Sequence, residues 1–217
     1  MSTIRKPPGT ARLPVWLWLA AMAGRTLRDE HADTTRRELV TAARALFGSR
    51  GFADTSVDGV AARARVTRGA LYHHFPGKKD VFLAVFEQVQ GELREIVARA
   101  AVRESDAWER MRVSLRVFLD ACTDPGIQRI LLEDGPAVLG WAKWREIDAR
   151  YFMGGMIAGL EELIGEGRLR PLDAEVLGHL ILAVVTEAAM MQADDGATRE
   201  KAERALDAIF EGLRAPR

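Results

Sequence analysis

The chain has 217 residues, of which 48% are hydrophobic, enough to bury a substantial core, so it reads as a globular protein. Its 31 Lys plus Arg balance 31 Asp plus Glu, which would argue against nucleic acid if the charge were evenly spread. One cysteine, Cys122, excludes an internal disulfide; its apolar helical context (Phe118, Leu119, Ala121) points to a core thiol in a reducing compartment.

The charge is not evenly spread. Residues 34–80 carry 9 basic and 4 acidic residues, residues 1–33 carry 5 and 3, and the rest carry 17 and 24. A basic block is joined to an acidic body. Ahead of it, Arg5, Lys6 and Arg12 precede the apolar run "LPVWLWLAAMA", where Ala21-Met22-Ala23 has the small-x-small form of a signal-peptidase site. Three readings stay open for residues 1–33: an export signal, an apolar helix docked on the body, or an extension upstream of a start at Met22. The run is well short of the roughly 20 residues that span a bilayer, so no membrane anchor is expected.

From residue 34 the pattern is helical. Thr35 stands three residues before Glu38, a capping-box spacing, and Leu39, Ala42, Ala43, Leu46 and Phe47 follow on one helical face up to Gly51, which can supply a left-handed terminator. A second, short helix follows the start signal of Thr55 and Asp58 and carries Val57, Val60, Ala61 and Ala64 inward. Thr67 caps a third helix, with Val66 and Leu71 forming a hydrophobic staple and Leu71 and Phe75 facing the core. The i, i+4 pairs Arg68 with Tyr72 and Gly69 with His73 are thereby rotated to solvent.

Two short helices, the second displaying Arg, Tyr and His, match a helix-turn-helix whose recognition helix enters a DNA major groove. Gly77 caps a fourth helix that opens on Lys78 and Lys79. Lysines are unfavourable at the positive end of a helix dipole, so they call for a negative partner, and a DNA phosphate would be one. His73 and His74 make a poor metal pair, because adjacent helical residues point about 100° apart. No metal and no cofactor are expected.

The stretch "TRRELVTAARALFGSRGFADTSVDGVAARARVTRGALYHHFPGKKDVFLAVF" resembles the DNA-binding domain of TetR-family (tetracycline-repressor-like) transcriptional regulators over about 50 residues. The resemblance implies that Thr67, Tyr72, His74 and Lys78 grip phosphates and that Arg68, Gly69 and His73 meet base edges. Thr55 completes the expected DNA-contact set. One residue departs from the family: Arg65 stands in the turn where Gly is usual, at a position expected to need φ > 0, with a strain of about 1 kcal/mol.

Beyond Phe86 the helices continue. A fifth turns Trp108, Met111, Leu115, Phe118 and Leu119 inward and is broken by Pro125-Gly126; "IQRILLEDGPAVLG" supplies one or two short helices interrupted at Gly135-Pro136; a long helix then bears Trp141, Trp144, Ile147, Tyr151, Met156, Leu160 and Leu163. In that helix Gly155 and Gly159 admit either a close helix neighbour or a ligand. The fold expected is all-α: a three-helix helix-turn-helix domain over 34–81, then an antiparallel helical bundle over 82–217 for effector binding and dimerisation.

The last two helices carry broad apolar stripes that need a cover. Leu177, Ile181 and Val184 on one and Leu206, Ile209 and Phe210 on the other are the expected homodimer interface, which the resemblance also implies. A dimer would read a palindromic operator in double-stranded DNA. Trp108, Trp144, Tyr151, Phe152, Met156 and Met190 are candidates for an effector pocket. Glu187, the one carboxylate in the apolar run 181–191, is expected to find either an arginine or a small-molecule partner there. Neither a phosphate loop nor a nucleophile motif nor a metal-spaced set points to an enzyme. The reading is a cytoplasmic, dimeric repressor released by a small-molecule effector; a helical DNA-binding or interaction protein without a ligand switch is the alternative.

Overall fold

Ten α-helices and one π-helical turn account for most of the described residues, 27–191 and 196–216, of a computed structural model; side chains are described for 30–191 and 199–216. The apolar run at 13–23, the start at Met22 and the acidic link Asp194-Asp195 lie outside the described residues. The chain divides into two units, 1–38 and 39–217.

Helix α1 (Leu27–Arg50) begins eight residues before Thr35. Thr35 and Glu38 therefore lie inside the helix and form no capping box, a correction with a simple cause: "LRDEHADTTRRE" contains no Gly or Pro to stop the helix. At its other end Gly51 has φ +80° and donates to Phe47 O at 2.8 Å, as the sequence implies. Helix α2 (Val57–Arg63) is capped by Ser56, not Thr55; Ser56 has the extended backbone a cap needs (φ −99°, ψ 153°) and accepts from Gly59 N. Helix α3 (Arg68–His74) is capped by Thr67, which accepts from Ala70 N.

Between α2 and α3, Arg65 takes φ +58°, the left-handed conformation expected of it. Its N–H donates to Ala62 O at 3.1 Å, and Val66 N–H donates to Ala61 O at 3.0 Å. These two bonds are a Schellman closure, so the turn keeps its form with arginine in the glycine position.

The body follows. Helix α4 (Lys78–Ala101) buries Val81, Phe82, Val85, Phe86, Val89 and Leu93 along one side. Helix α5 (Ala107–Ala121) starts at Asp106, whose carboxyl is held down to about 2 by hydrogen bonds from Arg168 and the Glu109 N–H. Then come α6 (Pro125–Gln128), a π-helical turn (Arg129–Asp134) and α7 (Gly135–Leu139). In the π register the Leu131 carbonyl would bond to position 136, but Pro136 has no N–H. Trp144 fills the gap, its Nε1 donating to Leu131 O at 2.8 Å. Gly135 is required here, since a Cβ would lie 2.9 Å from the Phe86 ring and 3.1 Å from Ile130 O.

The π turn also ties the head to the body. Arg129 donates to Ser49 O at 2.7 Å at the C-terminus of α1, and Asp134 accepts from Phe52 N at 2.7 Å. Helices α8 (Trp141–Gly165), α9 (Ala174–Met191) and α10 (Gly196–Glu211) complete the bundle. Among the described residues there is no strand, only an antiparallel bridge between Leu169 and Arg214. Cys122 is buried, and burial pushes its thiol up to about 12.

Candidate nucleic-acid interface and ligand cavity

The orientation of α3 follows from its two apolar residues. Leu71 is 0% exposed and Phe75 is 3%, packed with Val60, Ala61, Phe47 and Phe82 in one core. That leaves Thr67, Arg68, Gly69, Tyr72 and His73 exposed on the opposite side, while His74 is half-buried and meets the His73 ring edge-on at 5.3 Å. Arg68 NH1 reaches Asp58 Oδ2 at 3.2 Å, and its guanidinium lies 5.5 Å from the Tyr72 ring centroid. Both members of the Arg68–Asp58 pair are mostly in solvent, so a stronger acceptor can displace Asp58 at small cost. Lys78 starts α4 half-buried, with Nζ donating to Ala53 O at 3.2 Å and lying over the Phe52 ring at 4.3 Å. It folds onto the α1–α2 turn beside α3.

Thr55 does not belong to this face. It is 3% exposed and its hydroxyl donates to Gly51 O at 2.8 Å, which makes it an internal brace of the α1–α2 turn. The exposed hydroxyl at this place is that of Ser56.

The body holds a cavity of about 450 Å³ between α4, α5, α8 and α9. Tyr151, Phe152 and Met156 line it, as expected, with Met111, Phe118 and Leu182 from the other walls. Both glycines of α8 line it: Gly155 has nothing within 4 Å of where a Cβ would stand, whereas a Cβ on Gly159 would lie 2.7 Å from the Met111 methyl, the end of a flexible side chain. Three charged residues stand at its rim: Arg94, Arg110 and Glu162.

Four pocket candidates lie elsewhere. Trp108 is buried against Phe210, ring centroids 4.3 Å apart, with Nε1 donating to Glu211. Trp144 is spent on the π turn. Met190 packs on the core outside the cavity lining. Glu187 is exposed, not buried, because α9 turns Val185, Thr186, Ala188 and Ala189 inward instead.

Two family descriptions match this chain: "Bacterial regulatory proteins, tetR family" over residues 39–85 and "Tetracyclin repressor-like, C-terminal domain" over residues 108–213. A solved TetR-family transcriptional regulator from Pectobacterium atrosepticum is 36% identical with a TM-score of 0.79, covering 89% of this chain and 100% of its own. The chain belongs to the TetR family. Among curated relatives, the transposon Tn10 TetC protein of Escherichia coli is 29% identical over 74% of this chain and 81% of its own length. The probable acrEF/envCD operon repressor of Escherichia coli K12 is 36% identical over 52% of this chain, and the match spans half of that repressor. The Pectobacterium protein is a transcriptional regulator by name, and this TetR-family chain is a DNA-binding transcriptional regulator.

Of the six interface candidates on this TetR-family body, the structure separates two groups. Leu177, Ile181, Leu206 and Phe210 are largely covered within the protomer, Phe210 under Trp108, and form the floor of a groove beside α10. Val184 and Ile209 are exposed. With them stand Val176 and Leu180, each 59% exposed, and Met191, so the open stripe of α9 runs 176, 180, 184, 191. Between this stripe and α10 lies a groove of about 200 Å³ whose walls, Leu180, Val184 and Ile209 among them, are all apolar.

One buried polar cluster escaped the sequence reading. Asp148 is 3% exposed beside the buried Thr186, and Gln90 Nε2 donates to its Oδ1 at 3.3 Å; among the described residues Asp148 Oδ2 and Gln90 Oε1 have no assigned hydrogen bond. Burial raises the Asp148 carboxyl to about 6. The signal was present: Asp148 is four residues after Trp144 and Gln90 four after Phe86, so each continues a buried helical face.

Proposed function

We propose that this regulator is a homodimeric repressor that binds a palindromic operator through α3 and is released when a small molecule occupies the body cavity. The observation that carries the DNA half is the orientation of α3, with Leu71 and Phe75 inward and Thr67, Arg68, Gly69, Tyr72 and His73 outward. His74 and Lys78 flank that row at the junction with α4 and are proposed as phosphate contacts.

The dimer half rests on the open stripe. An exposed Leu, Val, Ile and Met set on α9 and α10 is a large apolar patch for a lone protomer, and burying each such side chain contributes about 1.5–3 kcal/mol. A second copy, related by a two-fold axis, covers it with the same patch. The ligand half rests on the cavity: α4 forms one of its walls and also opens at Lys78 beside α3, so a molecule that alters the tilt of α4 alters the spacing of the two recognition helices.

Leu180→Asp with Ile209→Asp tests the assembly. Both side chains are exposed in the protomer, so the double variant folds normally but sediments as a monomer and loses most of its operator affinity. A persisting dimer with full affinity refutes the interface.

A further inference from the structure

The rim of the cavity is not neutral. Arg110 is paired, donating to Glu162 at 2.5 Å and to the carbonyls of Glu104 and Ser105 at 3.1 and 3.3 Å. Arg150 is engaged as well, bonded to Glu87 at 2.5 Å and stacked 5.6 Å from the Tyr151 ring centroid. Inside, Ser114 Oγ is spent on Arg110 O at 2.8 Å. Arg94 has no hydrogen-bond or ion-pair partner among the described residues, and neither has the Tyr151 hydroxyl. These same two residues line both the cavity and a shallower depression that adjoins it beside Glu87 and Arg150.

We propose that the cavity takes an amphipathic carboxylate, its apolar body among Met111, Phe118, Phe152 and Met156 and its acid group held at the mouth by the Arg94 guanidinium and the Tyr151 hydroxyl. This deepens the effector reading given above and rests on it. The charge balance selects the class. Both carboxylates near the mouth, Glu87 and Glu162, are already charge-balanced by arginines, so an incoming cation meets two neutralised acids and one unpaired cation. A neutral ligand leaves Arg94 and Tyr151 as they are. A carboxylate offers two oxygens, one for the fork of Arg94 and one for the hydroxyl, and its charge is balanced where the apolar walls begin.

Octanoate, octanol and octylamine share one chain and differ in the head, and calorimetric titration of the full chain with each separates the classes. Octanoate is expected to bind about tenfold or more tightly than octanol, the difference a charge-assisted hydrogen bond makes, and octylamine most weakly. Arg94→Ala removes the preference for the acid and leaves octanol binding unchanged; Tyr151→Phe weakens octanoate by a smaller factor. Octanol or octylamine binding the wild-type chain as well as octanoate, octanoate failing to saturate, or octanoate binding Arg94→Ala at full strength would each overturn the proposal. Occupancy of a duplex recovered by in vitro selection is measured in parallel. Octanoate that binds with the stated preference yet leaves the protein on that duplex sinks the release mechanism and leaves the ligand class standing.

Discussion

The exposed row of the head, Thr67, Arg68, Gly69, Tyr72 and His73, comes from a single seven-residue helix and its cap, whereas the cavity collects its walls from four helices between Arg94 and Val185. In the head, two buried side chains at i and i+4 determine where every other side chain of α3 points. In the body, a residue's inward direction does not say which neighbour it meets: Trp108, Tyr151 and Met190 all face inward, and only Tyr151 reaches the cavity. Local rules therefore suffice for a surface made by one helix and fail for a volume made by several.

The strongest way to break this contrast is to loosen α3 from its anchor. Leu71→Ala removes a fully buried side chain, a loss of about 2–5 kcal/mol for such substitutions. The expected result is a lower unfolding midpoint and little DNA binding at 37 °C, with ligand titration of the body retained at low temperature. Loss of ligand binding under those conditions would show that the head and the cavity are not separable.

Next in size is the buried acid that couples α4 to α8. The Asp148 carboxyl rises from 3.8 to about 6 on folding, so the folded state holds the proton more tightly. Its contribution is therefore fully present below about pH 4, declines as pH rises towards 6 and is lost above it. A shift of about two units corresponds to about 3 kcal/mol. Asn mimics the neutral acid, accepting from Gln90 Nε2 and offering a donor for Gln90 Oε1. Asp148→Asn is expected to raise stability to chemical denaturation by about 1–3 kcal/mol at pH 8, a gain that shrinks as pH falls from 6 towards 4. A gain or loss that is the same at every pH would show that the carboxyl does not titrate with folding.

The smallest effect sharpens the account of the turn. A non-glycine residue at φ > 0 costs about 1–2 kcal/mol, and glycine returns up to about 1 kcal/mol of that as unfolded-chain entropy. Arg65→Gly should thus stabilise by only about 0.5 kcal/mol by thermal melting, with operator preference unchanged. A large destabilisation would mean that the Arg65 side chain holds the turn through contacts of its own.

What the sequence disclosed follows the same division. Leu39, Ala42, Ala43, Leu46, Phe47, Val60, Ala61, Leu71 and Phe75 are all buried as their spacing requires, and both the Gly51 terminator and the left-handed Arg65 occur where expected. The start of α1 was misread because a Thr and a Glu at capping distance also fit inside a helix that lacks any breaker upstream. Thr55 was misread because a threonine and a serine stand side by side and only the backbone angle tells which one caps. Glu187 was misread for a different reason. On a helix apolar all round, as α9 is, periodicity does not say which face meets the protomer's own core.

The central claim is that the outward row of α3 reads DNA bases, and Arg68 tests it most directly. Wild-type and Arg68→Ala proteins are titrated on a selected operator and on single-base variants of each half-site over a range of salt concentrations. The account predicts that the variant loses about 1–3 kcal/mol of discrimination at one base position per half-site and retains its thermal stability. Equal weakening on every sequence, or no change at any position, would contradict it.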